Sequence, residues 1–135
     1  MFSNLHRVYD LVGGDKFFIE LADVFYNKID NDDLLRGMFP TSLEEAKKWN
    51  YLFLRKIFGG PDEYVTERGH PMMRKRHFPF KIGLKERNRW YDLMIESIKE
   101  LGIAPDHPAY PIMQKYFDHM ATKMINQPVL ESDFR

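Results

Sequence analysis

With 135 residues, no cysteine, and twenty basic against twenty acidic side chains, the chain has room for one compact domain and no charge bias toward nucleic acid or anionic lipid. The missing cysteines exclude disulfides, thiolate nucleophiles, iron–sulfur clusters and cysteine-ligated zinc, so a metal centre must draw on histidine, carboxylates or a prosthetic group. No stretch is apolar for long enough to span a bilayer, and the start Met1-Phe2-Ser3-Asn4-Leu5-His6-Arg7 lacks a secretory pattern, which predicts a cytoplasmic protein without a membrane partner.

Every long periodic segment reads as helix and none alternates like a strand, so the expected class is all-α. A short helix from Leu5 to Leu11 stops at Gly13-Gly14. The next, from about Asp15 to Ile29, puts Phe17, Phe18, Leu21, Val24, Phe25 and Ile29 on one face. Tyr26 lies at the flank of that face, where its hydroxyl can look into the edge of a pocket. Asn31-Asp32-Asp33 breaks the helix, and Leu34 to Pro40 forms a turn-rich connector. Thr41 with Glu44 and Ser42 with Glu45 make two overlapping capping boxes, which predict a helix start. The apolar stripe that follows is Leu43, Ala46, Phe53, Leu54 and Ile57, and it ends at Gly59-Gly60-Pro61. Asn50 sits inside this stripe and reads equally as a hydrogen-bonded core amide or as a donor facing a pocket. A buried polar group left without a partner costs about 1–3 kcal/mol.

Residues 61–70 read as a loop punctuated by Gly and Pro. His70-Pro71 then opens a two-turn helix, with proline in its first turn, that ends at His77. A longer helix from Lys85 to Leu101 carries Trp90, Met94, Ser97 and Leu101 along one stripe. After the breaker from Pro105 to Pro111, a last helix runs from Ile112 to about Asn126 with Met113, Tyr116, Phe117, Met120 and Met124 inward. The expectation is one domain over residues 1–135, with 1–8 and 128–135 peripheral.

Several chemistries find no support in the spacing. There is no phosphate-binding Gly-x-x-x-x-Gly-Lys-Ser/Thr loop, no His-Glu-x-x-His pair, and no nucleophile elbow. The five histidines (6, 70, 77, 107 and 119) offer no two at helical ligand spacing, which leaves one histidine making one axial bond to a prosthetic group. A haem needs an imidazole ligand, apolar and aromatic walls, cationic or hydroxyl groups for its propionates, and polar donors on its open face. His77 meets the first need, although a lone histidine in a helical chain is more often an ordinary surface or cap residue. Phe53, Ile57, Phe58, Phe78, Phe80, Ile82 and Met94 could form walls or plain core. Arg76, Lys48 and Tyr64 could reach propionates. Tyr26, Asn50 and Trp90 could be open-face donors. The basic run Arg74-Lys75-Arg76, with Arg68 upstream, is either one wall of a dianion site or a solvated helix end.

From about Tyr9 to Gln127 the chain resembles the truncated haemoglobins, specifically their second group. The resemblance is carried by Val24-Phe25-Tyr26, by Leu34-Leu35 through Met38-Phe39-Pro40, by Gly59-Gly60-Pro61, and by Gly69-His70-Pro71-Met72-Met73-Arg74-Lys75-Arg76-His77. Trp90 and the closing Met124-Ile125-Asn126-Gln127 complete it. It implies a two-over-two helical globin sandwich around haem b, iron protoporphyrin IX, with His77 as the iron ligand. It further implies Tyr26 and Trp90 as distal donors, Phe39 stacked over the haem, and Arg76 and Tyr64 near the propionates. Asn50 joins the ligand-stabilising set where that family often has Gln, and Ala46 stands at the distal gate, so no distal histidine is present. Ala46, Lys48, Trp49, Phe53, Phe80 and Ile82 complete the expected cofactor contacts. The implied partner is dioxygen or another small diatomic ligand. Oxygen binding, nitric oxide chemistry and peroxidase-like turnover would all use the same iron and donors, the redox tasks with an unidentified reductase as further partner. The alternative is a haem-free helical domain for interaction or structure, in which His77 and Arg76 only cap a helix.

Overall fold

The computed structural model describes residues 4–64 and 80–127, and the described residues contain helix and no strand. A 3-10 turn, Leu5–Arg7, leads into α1 (Val8–Val12), followed by α2 (Asp15–Asp30), a second 3-10 turn (Arg36–Met38), α3 (Glu44–Ile57), α4 (Leu84–Glu100) and α5 (Tyr110–Lys123). Helix α2 packs against both α3 and α4, and α4 packs against α5. The expected two-turn helix ending at His77 lies outside the described residues.

On α2 the buried face is Phe17, Phe18, Leu21, Ala22, Phe25, Tyr26 and Ile29. Val24, expected on this face, is only half-buried, because the stripe centres on the Phe18–Leu21/Ala22–Phe25–Ile29 line. Val8, the last residue of the N-terminal stretch expected to be peripheral, already belongs to the core. Val8 is fully buried, and the Tyr9 N–H donates to the Phe58 carbonyl at 2.8 Å. This approach is close enough that a Cβ on Gly59 (φ 101°) would lie 2.0 Å from the His6 carbonyl oxygen, so glycine ends α3 for steric reasons as well as for its left-handed backbone.

The start of α3 differs from its capping-box reading. Leu43 is the cap residue and makes no side-chain cap; Ser42 Oγ accepts only a 3.4 Å bond from the Glu44 N–H. Arg36 explains the difference. Its guanidinium donates to the carbonyls of Phe39 (3.3 Å), Pro40 (2.9 Å) and Thr41 (2.8 Å) and pairs with Asp30 at 2.9 Å, fixing the connector before the helix begins. The acidic Glu44 and Glu45 still favour the positive end of the helix dipole.

Near the end of α3, Arg55 is 4% exposed and charged. It pairs with Glu63 at 2.8 Å and Asp15 at 3.5 Å, bonds the Tyr51 hydroxyl at 2.9 Å and lies over the Tyr51 ring. Burial works against its charge, but Glu63, Tyr51 and Asp15 together hold its pKa above the ordinary value.

The last helix begins earlier and ends earlier than its periodicity suggests. Asn126 is released from α5 because it clamps the approach to α4: its Oδ1 accepts from the Ile82 N–H at 2.8 Å, its Nδ2 donates to the Phe80 carbonyl at 2.6 Å, and its own N–H donates to the Ile82 carbonyl at 2.8 Å.

The core is dominated by rings. Phe58 contacts Phe18, Tyr116 and Phe117, with centroids 6.0, 5.3 and 5.8 Å away. Burial pushes the Tyr116 phenol well above its usual value. The unfolded phenol ionises near pH 10. The protonated phenol's contribution to stability is therefore complete below about pH 10 and is lost progressively as pH rises above it toward the folded-state pKa. Urea denaturation from neutral to strongly alkaline pH is expected to show this loss, and Tyr116→Phe should remove its largest share. Tyr9 and Tyr51, also raised by hydrogen bonding to Asp15 and by burial respectively, would carry the remainder. An identical alkaline slope in Tyr116→Phe would contradict the assignment.

Candidate functional site

The three residues expected on the open face of a cofactor come from three helices. Tyr26, 6% exposed on α2, stands edge-on to Phe25 (5.1 Å between centroids) and to Phe39 (5.7 Å). Trp90, half-buried near the start of α4, stands edge-on to the same Phe25 (5.6 Å) and to Phe117 (5.9 Å). Phe25 is therefore the shared wall between the phenol and the indole, a role its place on the buried face of α2 did not reveal. Phe39 follows the second 3-10 turn with extended backbone, which brings its ring back against Tyr26.

Asn50, on α3, supplies the third group. Its Oδ1 is buried and has no hydrogen-bond partner among the described residues. Ala46 is half-buried against the core on the same helix. A solvent-open cleft of about 280 Å³ lies between the end of α2 and the start of α3, with Tyr26, Asn27, Asp30, Ser42 and Lys47 in its walls.

A second set of rings gathers at Tyr64, which is 1% exposed and packs edge-on to Trp49 (5.9 Å) and Phe53 (5.4 Å). Lys48 is exposed, with its ammonium 4.9 Å over the Trp49 ring. Among the remaining wall candidates, Phe58 and Met94 are fully buried, Ile82 is buried, Ile57 is half-buried and Phe80 is exposed. His77, Arg76 and Phe78 lie outside the described residues, as do His70 and the basic run with Arg68. Among the described residues no group of three or more His, Asp or Glu could hold a metal ion, and no helix is long and apolar enough to cross a membrane.

One pair escaped the sequence reading altogether. Asp32, 4% exposed, accepts the Leu35 N–H at 3.0 Å on one carboxylate oxygen and Arg89 Nε at 2.5 Å on the other. Hydrogen bonding to Asp32 raises the pKa of Arg89. Asp32 reads in the sequence as part of a helix breaker, and nothing local joins it to a residue 57 positions away.

Comparisons with known proteins bear on the whole arrangement. The model of the bacterial-like globin family matches residues 7–126. The chain is 32% identical over 103 residues to the group 2 truncated haemoglobin YjbI of Bacillus subtilis, a match covering 76% of this chain and 77% of that protein. Among solved structures, the haemoglobin of Chloroflexus aurantiacus is similar with a TM-score of 0.85 and 41% identity, over 89% of this chain and 98% of that one. The group II truncated haemoglobin of Bacillus anthracis is similar with a TM-score of 0.84 and 30% identity, over 90% of this chain and 97% of that one.

Proposed function

Because this chain belongs to the bacterial-like globin family, and within it to the group 2 truncated haemoglobins with their two-over-two helical fold, we propose that it binds haem b through His77 and coordinates dioxygen or another diatomic ligand. The observation that carries this reading is the meeting of two hydrogen-bond donors, Tyr26 and Trp90, across the single ring of Phe25. A bound haem would supply the iron at which such a ligand coordinates.

The residues present fit that group. The Asn50 Oδ1, without a partner among the described residues, is a buried acceptor whose isolation costs about 1–3 kcal/mol, and a water in the pocket donating to it would offset the cost. Phe39, Ala46, Trp49, Phe53, Phe80 and Ile82 would provide the walls, and Arg76, Lys48 and Tyr64 would serve the propionates. The roles of this chain's own residues follow. Tyr26 and Trp90 donate to the outer atom of a polar ligand, and Asn50, one methylene shorter than the Gln common at its position, bonds Tyr26 or a water more readily than the ligand itself. The same donors suit oxygen binding and redox chemistry on nitric oxide or peroxide, the latter two drawing electrons from a reductase in a cytoplasmic setting.

Titration of the purified chain with haem tests the reading. The expected result is a saturable Soret band at one haem per chain. No band after reconstitution would defeat it in favour of a haem-free helical domain.

A further inference from the structure

We propose that Asp32 and Arg89 are a positioning pair that sets the orientation of Trp90 against Tyr26; this rests on the donor roles given above. Asp32 stands where three elements meet. Its N–H closes α2 on the Ile29 carbonyl (3.1 Å), which fixes the end of the helix that carries Tyr26. Its carbonyl and carboxylate accept the N–H groups of Arg36 (2.9 Å) and Leu35 (3.0 Å), which shapes the connector leading to Phe39. The other carboxylate oxygen takes Arg89 Nε, and Arg89 immediately precedes Trp90 on α4.

Adjacent residues on a helix lie about 100° apart around its axis. Holding Arg89 toward the end of α2 therefore fixes the rotation at which α4 presents Trp90 to Phe25. The carboxylate is buried while the guanidinium is about half exposed, so removing the arginine strands a buried charge and the junction must rearrange to hydrate it. Neither residue needs to touch a ligand to act in this way.

The test uses the haem-loaded protein with Arg89→Gln, Arg89→Lys, Asp32→Asn and Trp90→Phe. Arg89→Gln is expected to speed dioxygen release about three- to tenfold while carbon monoxide release changes less than about twofold, as for a weakened hydrogen bond. Arg89→Lys should recover part of the loss. In the carbon monoxide form, the indole N–H resonance of Trp90, read with isotope-labelled tryptophan, should shift in Arg89→Gln. If Asp32→Asn fails to fold, Arg89→Gln, altered at the half-exposed partner, carries the test. A lower melting temperature with unchanged dioxygen release and an unmoved Trp90 resonance would overturn the proposal, as would equal acceleration of both gases. If Trp90→Phe itself leaves dioxygen release unaltered, the donor role of Trp90 fails. The positioning proposal is then judged on the Trp90 resonance, and an unmoved signal overturns it.

Discussion

Replacing His77 with alanine is expected to abolish stable haem retention, or to leave a pocket that holds haem only with added imidazole, while His70→Ala leaves the spectrum largely unchanged. With no cysteine in the chain, an imidazole ligand has five histidines to be drawn from. Three are placed elsewhere in the fold. His6 and His119 are exposed, and Nδ1 of His107 accepts the Ala109 N–H at 3.0 Å at the entry to α5. An imidazole bound to iron normally has its second nitrogen oriented by an acceptor, and losing the only such ligand removes the bond rather than weakening it. Absorption spectra of the ferrous protein, with and without imidazole, measure the effect. A His77→Ala protein with an unaltered ferrous spectrum would remove His77 from the role.

Trp90→Phe should have the next largest consequence. The phenyl ring keeps the edge contacts to Phe25 and Phe117 that locate the indole, so the substitution mainly deletes the N–H. Hydrogen bonds to a charged or partly charged acceptor are worth about 1.5–3 kcal/mol, and about 1.4 kcal/mol is tenfold in an equilibrium constant. Dioxygen binding should weaken by roughly ten- to a hundredfold, mainly through faster release. Carbon monoxide carries less charge when bound and should respond far less. Stopped-flow release of both gases makes the comparison, and equal effects would assign Trp90 a steric role.

The features readable in the sequence were those governed by local periodicity. The 3.6-residue spacing of rings on α2 located its buried face and put Tyr26 beside it, and the pattern around Trp90 placed the indole on α4. Periodicity thus placed both side chains on their helices, while the donor role proposed for them came from the family resemblance. Features set by distant partners were not readable. The capping boxes at Thr41 and Ser42 satisfy every local rule, yet Arg36 holds the Thr41 carbonyl and the helix begins beyond them. Asn126 continues the periodic face of α5, but its amide is used by residues 44 and 46 positions earlier. Asp32 and Arg89 form a close ion pair, and their separation along the chain hides it. In each case a polar side chain bonds across the fold, and such bonds leave no period to detect.

The Asn126 clamp also has a consequence for the order in which the protein is made. A ribosome releases α1, α2 and α3 first, and these already contain the Phe18–Phe58 contact and the Tyr9–Phe58 hydrogen bond. Phe80 and Ile82 emerge long before the residue that secures them. Phe80 follows His77 by three positions, so this anchor, the nearest to the histidine on its C-terminal side among the described residues, closes only once Asn126 has been translated. Nascent chains tend to fold from their N-terminal side as they appear. Here that leaves a partly built domain with its early helices joined and this later anchor still open.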